Sequence, residues 1–409
     1  MGEGVGSAGP ALGELFGAGR RADPYGAYGE WRDRAPVVRV GEGLVAVLGF
    51  EEAERVVTGA EYGHPEPEVI GAGDEDLPVD GRGRVVRAFA FLNPPDHTRL
   101  RGLAGKAFTA RTVEGLVPRV EELVEEFVGR VVEAGEGDLM RELAVPLPVT
   151  VIAELLGVPV GDRERFGAWS GAMARAAEPG FLLGPGVADA AARARREFVA
   201  YFRELAAERR SAPGDDLVSA LVAVSDDGER LSEGELLVTL TLLLVAGHET
   251  TTNLIGNGML ALLRNPDQYA ALAQDQALDA ALAEGAVEEI LRYDSPIQLT
   301  MRTVLTDTTL GGVELAAGTT VLVLVGAANR DPRVGEEPDR FDITRVPRRH
   351  LAFGRGIHFC LGAPLARLQG RTVLRELARR APGLRLAGEP EWAETVTLRG
   401  LRTLPIAIR

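Results

Sequence analysis

After Ser232-Glu233-Gly234-Glu235, which has the spacing of a capping box, apolar residues recur at helical intervals as far as Asn265-Pro266, where a helix should stop. The pattern predicts about 30 residues of helix, roughly 45 Å at 1.5 Å per residue, enough to cross a whole domain. Its most apolar part, Leu236 to Gly247, is broken by Thr239 and Thr241 and is well short of the roughly 20 residues that span a bilayer, so it reads as a buried core helix. A second helix is predicted over Ala363 to Arg380. Strand-like pieces fall at Val37 to Val40, at Leu44 to Leu48, between Thr300 and Val325, and in the last dozen residues. Nearly everything else is helical in pattern. The expectation is a mainly α protein with small β-sheets (α+β), fed from both ends of the chain. That argues for a single domain over 1–409 whose termini fold together, with 1–20 as a flexible N-terminus.

Two stretches mix Gly and Pro with apolar or acidic residues, Gly63 to Arg84 and Glu178 to Gly186. They read either as plain surface loops or as lids over a buried site.

Composition removes several classes of function. The chain has 409 residues, 45% hydrophobic and 5% aromatic, so the core must be built mainly from Leu, Val and Ala. A net charge of −15 argues against nucleic acid as the main partner, because phosphate contacts need a basic face. The one cysteine, Cys360, excludes an intrachain disulfide. Met1 to Ala11 lacks a basic region followed by an apolar run, so it does not read as a signal peptide, and a cytoplasmic, membrane-free protein is expected.

The middle of the long helix carries Ala246-Gly247-His248-Glu249-Thr250-Thr251-Thr252. Gly and three consecutive Thr are poor helix formers, and a buried acid is costly unless paired or hydrated. One reading is a kink with a salt-bridged Glu. The other is chemical: small residues leave room for a ligand, a Thr hydroxyl back-bonds into the helix and distorts it, and a carboxylate relays protons. A zinc-protease helix is excluded, because the required second His would fall at position 252, which is Thr.

Phe353-Gly354-Arg355-Gly356-Ile357-His358-Phe359-Cys360-Leu361-Gly362 is the second informative stretch. A lone Cys is usually a small buried apolar residue. Here three glycines would let the backbone approach something flat, and a helix starts immediately after the sulfur. A thiol at a helix N-terminus is stabilised as the thiolate by backbone N–H groups and the helix dipole. A catalytic nucleophile with His358 as its base is the competing chemistry, but it gives no reason for the glycines and Phe353.

The F-G-x-G-x-H-x-C-x-G pattern resembles the cysteine loop of cytochromes P450. The helix segment resembles that family's A-G-x-E-T-T at Ala246, Gly247, Glu249, Thr250 and Thr251. Glu289-Ile290-Leu291-Arg292 is similar to its E-x-x-R motif, and Pro338-Asp339-Arg340-Phe341 to the segment whose Arg joins that ion-pair network. An E-x-x-R alone carries no weight, since such pairs are common on helices. Four motifs in this order over nearly the full length make the chain similar to soluble bacterial members that tailor natural products.

The resemblance implies the family's triangular helical body with a long central helix, and haem b as cofactor. Cys360 is the implied axial iron ligand, with Phe353 beside the ligand loop and Gly362 following the sulfur. Implied partners of the haem propionates are His97, Arg101, Arg302 and His358, with Ala246 and Gly247 facing the haem. Thr250 and Glu249 are the implied catalytic pair, the hydroxyl attending dioxygen and the carboxylate delivering protons. Glu289, Arg292 and Arg340 are implied to be structural.

Phe89, Phe91, Val245, Ile297, Leu299 and Leu398 are expected to line a pocket for a small lipophilic substrate. Hydroxylation or epoxidation in polyketide or other secondary metabolism is favoured, with steroid, terpenoid or xenobiotic oxidation as the alternative. A monomer is expected. Electrons, ultimately from NAD(P)H, would come from a separate ferredoxin and ferredoxin reductase, docking on a patch of Arg348, Arg349, Arg355, Arg367 and Arg371. Two other classes stay distinguishable: a haem sensor or carrier would not need Glu249 and Thr250 together, and a cysteine hydrolase would be colourless.

Overall fold

The computed structural model describes residues 10–65, 78, 85–176, 178, 183–226, 229–274, 280–346 and 349–408. Five helices matter to the site: α1 (Asp96–Ala107), α2 (Arg163–Arg175), α3 (Glu233–Arg264), α4 (Ala280–Tyr293) and α5 (Ala363–Arg380).

The long helix α3 starts where its sequence says it should. Ser232 Oγ accepts from the Glu235 N–H at 3.3 Å and Glu235 Oε2 accepts from the Ser232 N–H at 2.8 Å, so the capping box closes in both directions. The same Glu235 carboxylate pairs with Arg99 on α1, fixing the start of α3 to the neighbouring helix. Helix α5 spans the residues its pattern predicts, with Pro364 in its first turn, where a missing N–H costs nothing.

The mixed five-stranded sheet takes strands from distant parts of the chain: β1 (Val37–Gly41), β2 (Leu44–Val47), β3 (Tyr62–Gly63), β4 (Leu299–Val304) and β5 (Thr320–Leu324), in the order β1-β2-β5-β4-β3. Strands β2 and β5 run parallel, and the other neighbours are antiparallel. A second sheet sets Pro405–Ile408 between Leu384–Leu386 and Glu136–Asp138, so both ends of the chain are tied into sheets with interior segments. The core is helical and aliphatic, with Phe166, Phe198 and Phe202 packed against each other. Fully burying a side chain of that size contributes about 1.5–3 kcal/mol.

The expectation of a flexible 1–20 needs correcting. Residues 1–9 lie outside the description, but Pro10–Phe16 is a helix whose Leu15 and Phe16 are buried against Tyr28, Trp31 and the outer face of the sheet. Two apolar residues at its end give this segment a reason to dock. Of the two loops read as lids, 66–77 and 79–84 of the first and 179–182 of the second lie outside the described residues.

Candidate active site

Helix α3 stays hydrogen-bonded through its polar segment instead of breaking. Thr250 Oγ1 donates to the Ala246 carbonyl at 2.6 Å and Thr251 Oγ1 to that of Gly247 at 3.3 Å. These hydroxyls are satisfied inside the helix that their propensity disfavours. Ala246 is exposed and Gly247 half-buried, and a Cβ on Gly247 would press on Ile152 Cδ1 at 3.2 Å.

Glu249 faces α2, where a Cβ on Gly171 would stand 3.6 Å from its Oε1. Burial raises its pKa above the usual carboxylate value, and the charge of Arg175 opposes that shift. The adjoining His248 is buried, its Nδ1 is 2.8 Å from Ser170 Oγ on α2, and burial pushes it down to about 4.

The cysteine loop is built by two left-handed glycines. Gly354 has φ +65° and Gly356 φ +64°, and a Cβ at Gly356 would meet the Val57 carbonyl at 3.2 Å. The third differs: Gly362 is not left-handed, and a Cβ there would make an ordinary contact with the Cys360 sulfur at 3.9 Å, so its absence leaves that side of the sulfur more open. The loop closes with the Cys360 N–H donating to the Phe353 carbonyl at 2.9 Å. Arg367 grips Glu288 of α4 through two bonds of 2.6 and 3.0 Å while its guanidinium lies 4.5 Å over the Phe353 ring.

Burial raises the Cys360 thiol pKa. The N–H groups of Gly362 and Ala363 and the charges of Arg101 and Arg367 oppose the shift without reversing it. The helix N-terminus supplies donors to the sulfur, and burial works against them.

The described residues bring the predicted cations together. His97 and Arg101 share one face of α1, Arg302 projects from β4, and His358 ends a 3₁₀ turn (Gly356–His358) just before the sulfur. The His97 and His358 rings are 4.3 Å apart. Arg302 is 9% exposed and among the described residues donates only to the Met301 carbonyl at 2.8 Å and Thr300 Oγ1 at 3.3 Å, and burial pulls its pKa down to about 10. Arg101 donates to the Phe359 carbonyl at 2.5 Å.

Among the described residues neither ring nitrogen of His97 has a partner in good hydrogen-bond geometry, and only a weak backbone interaction with Ile357 favours its charged form against the burial that lowers its pKa. Nδ1 of His358 is buried and unpartnered as well, and burial followed by Arg302 and His97 drives that imidazole down to about 3. Buried donors without acceptors are costly, and no carboxylate ion-pairs with any of the four among the described residues. Such a cluster fits a ligand that brings its own carboxylates, as haem b does.

Leu361, next to the sulfur, and Leu242 of α3 pack on the same small cluster of Phe89, Leu92, Leu100 and Ala104. Loop, α1 and α3 thus converge. Phe91 is 53% exposed with its ring against His64, and Val245 is half-buried beside the helical core. Ile297 and Leu398 meet in an isolated antiparallel bridge.

Leu299 is a correction. It is buried against the sheet's outer core with Tyr28, Trp31 and Leu322, away from the predicted lining.

Arg340 is a second correction. Glu289 and Arg292 form a buried bidentate pair at 2.7 and 2.8 Å, but the Arg340 guanidinium is 59% exposed and pairs with Glu337. Arg345 takes its place at 3.3 Å from Glu289 Oε1, while Arg340 contributes its carbonyl to Arg292. The turn at Pro338–Phe341 aims main-chain carbonyls inward and sends this side chain to solvent.

The expected docking patch is also weaker than its sequence suggests. Arg349 and Arg355 both pair with Glu54, Arg367 with Glu288 and Arg371 with Glu284, and Arg348 lies outside the described residues. Sequence reading missed His64, Asn93 and Arg345 as members of the site and its frame. Nothing local to any of them signals it.

The comparisons agree with this architecture. The Cytochrome P450 family model matches residues 183–380. The cytochrome P450 monooxygenase PikC of Streptomyces venezuelae is 43% identical, with 98% of this chain and 93% of that protein covered. The polyketide biosynthesis cytochrome P450 PksS of Bacillus subtilis is 42% identical over 77% of this chain and 76% of its own length. Among solved structures, ligand-free CYP164A2 of Mycobacterium smegmatis superposes with a TM-score of 0.87 at 42% identity, covering 97% of this chain and 99% of that one. With long relatives at this level of identity and a shared fold, the chain belongs to the cytochrome P450 family.

Proposed function

We propose that this P450 monooxygenase holds haem b through Cys360 and oxidises a lipophilic polyketide or related secondary metabolite by hydroxylation or epoxidation. The observation that carries the site assignment is the group of His97, Arg302 and His358, with no ion-paired carboxylate among the described residues, beside the sulfur of Cys360. Bound haem supplies the redox chemistry, in which dioxygen, two electrons and two protons give one oxygen atom to the substrate and one molecule of water.

The chain's own residues bind and protonate. His97, Arg101, Arg302 and His358 hold the cofactor's carboxylates, and the N–H groups of Gly362 and Ala363 temper the sulfur's charge. Thr250 has its hydroxyl in the helix groove and reorients it toward dioxygen. Glu249, with its raised pKa, takes up protons from the Arg175 side of α2 and passes them inward. Phe89, Phe91, Val245, Ile297 and Leu398 line the apolar entrance. We read the chain as one cytoplasmic domain, supported by sheets that join its two ends. No helix among the described residues is long and apolar enough to cross a membrane.

The polyketide reading rests on the relatives, PksS above all, and on the apolar lining. A separate ferredoxin with its reductase is the proposed electron donor. Two measurements test the proposal. The reduced, carbon-monoxide-treated protein shows the absorption band of thiolate ligation, and Cys360→His replaces it with that of imidazole ligation; an imidazole band in the parent protein overturns the ligand assignment. A panel of macrolactones, steroids and terpenoids, scored by displacement of iron-bound water, identifies the substrate class. A response confined to steroids overturns the polyketide reading.

A further inference from the structure

We infer that His64 is an additional binding residue for the cofactor's carboxylates, beyond the four cations already assigned, and that Asn93 is the positioning residue that holds it there. This rests on the haem site proposed above.

His64 follows β3 directly, and its backbone is locked from both sides by one side chain. The His64 N–H donates to Asn93 Oδ1 at 2.9 Å, and Asn93 Nδ2 donates to the His64 carbonyl at 2.7 Å. The approach is close enough to require glycine at the preceding position, where a Cβ on Gly63 would fall 2.5 Å from Asn93 Oδ1 and 2.8 Å from Leu305 Cδ1. Asn93 itself receives the His97 N–H at its carbonyl, 3.0 Å away, so one residue ties His64 to the start of α1. The imidazole that results is only 9% exposed, stands edge-on to His358 with centroids 5.1 Å apart, and touches the Phe91 ring at 5.9 Å.

Three imidazoles and two guanidiniums therefore surround one small region. Among the described residues Nε2 of His64 is buried without a partner, as are both nitrogens of His97 and Nδ1 of His358. Burial comes first among the causes that hold the His64 pKa down at about 4, followed by the charges of Arg302 and Arg87 and the neighbouring His97. Four buried imidazole nitrogens without a partner among the described residues are a costly arrangement for a protein interior, since each unmade bond forfeits solvation with nothing in return. A group carrying two carboxylates offers enough oxygen acceptors to satisfy His97, His358 and Arg302 with capacity left for a fifth donor. Packing alone does not account for His64: a Leu or Phe would fill the same space without stranding a nitrogen beside two cations.

The test uses holoprotein and does not depend on turnover. His64→Leu and His64→Gln are compared with the parent for haem loss to an excess of a haem-scavenging protein, and for the propionate bending bands in resonance Raman spectra. The expected result is roughly tenfold faster loss for His64→Leu, a smaller change for His64→Gln, which keeps a donor, and displaced propionate bands in His64→Leu. Asn93→Ala, which frees the His64 backbone, gives the same band displacement in weaker form. The carbon-monoxide band of thiolate ligation persists in all three, which separates failure here from failure of the ligand assignment. Unchanged loss and unchanged bands in His64→Leu overturn the inference. So does equal acceleration in both His64 variants with unmoved bands, which would make His64 a packing residue only.

Discussion

Arg345 Nε lies 3.3 Å from Glu289 Oε1, completing a buried carboxylate that already holds Arg292 in two bonds and accepts the Asp342 N–H at 2.9 Å. The Arg345 guanidinium also reaches the carbonyls of Glu336, Glu337 and Arg340, so it threads the loop beneath the cysteine segment onto α4. Removing Arg345 leaves several carbonyls and one charged oxygen short of donors. Removing Arg340 frees an exposed ion pair with Glu337 and a longer contact with Asp342 at 3.8 Å.

Arg345→Ala is therefore expected to lower stability by about 1–3 kcal/mol, and Arg340→Ala by about 0.5 kcal/mol or less. Urea denaturation of the two holoproteins decides between them. The reverse ranking would return Arg340 to the network.

Glu288 of α4 sets an acid limit on the same region. Its burial favours the neutral form, but hydrogen bonds from His350 and Arg367 outweigh this and hold it down at about 2. A carboxyl depressed in the folded state stabilises fully above its unfolded value near 4.5, and that stabilisation is lost as pH falls from there toward 2. Stability measured across this window should fall more steeply in the parent than in Glu288→Gln, which has no proton to gain. Parallel curves would show that the pairs with His350 and Arg367 carry no net stabilisation.

Much of this frame is legible in the residues themselves, and the exceptions share a cause. The capping box Ser232/Glu235 and the Pro364 start of α5 are local devices, so the sequence places both helices within a residue. The cysteine loop is equally local, because two left-handed glycines and a bare sulfur flank leave a fixed spacing. Arg340, Leu299 and His64 depend instead on chain paths over long separations. Which arginine reaches Glu289 is decided by the turn between them, and Leu299 is claimed by packing on Tyr28 and Trp31, far earlier in the chain. His64 is brought to the site by Asn93, 29 residues away. No periodicity encodes any of these.

The polar segment of α3 makes a separable prediction for its two members. Thr250→Ala removes a hydroxyl that currently donates to Ala246 and leaves the helix's own bonds in place, so haem content and substrate binding are retained. Reductant is then diverted to peroxide, read as peroxide released per NAD(P)H consumed. Glu249→Gln keeps the shape but cannot cycle a proton, and product formation should fall roughly a hundredfold, with a larger solvent isotope effect. Full coupling in Thr250→Ala would remove that hydroxyl from the reaction.

Ionic strength tests how the electron donor docks. Glu54 pairs with Arg349 and Arg355 at once, so these three groups present one net positive charge instead of two, and Arg371 is neutralised by Glu284. On a chain of net charge −15, that leaves little local attraction for an acidic ferredoxin, and the rate of first electron transfer should fall only modestly from low to physiological salt. Glu54→Gln restores the missing positive charge. It should raise that rate about two- to threefold at low salt and steepen its salt dependence, while the rate at high salt stays the same. If Glu54→Gln changes the rate equally at every ionic strength, the arginines around Glu54 lie outside the docking surface, and the exposed Phe359 and Ile357 beside Cys360 become its centre.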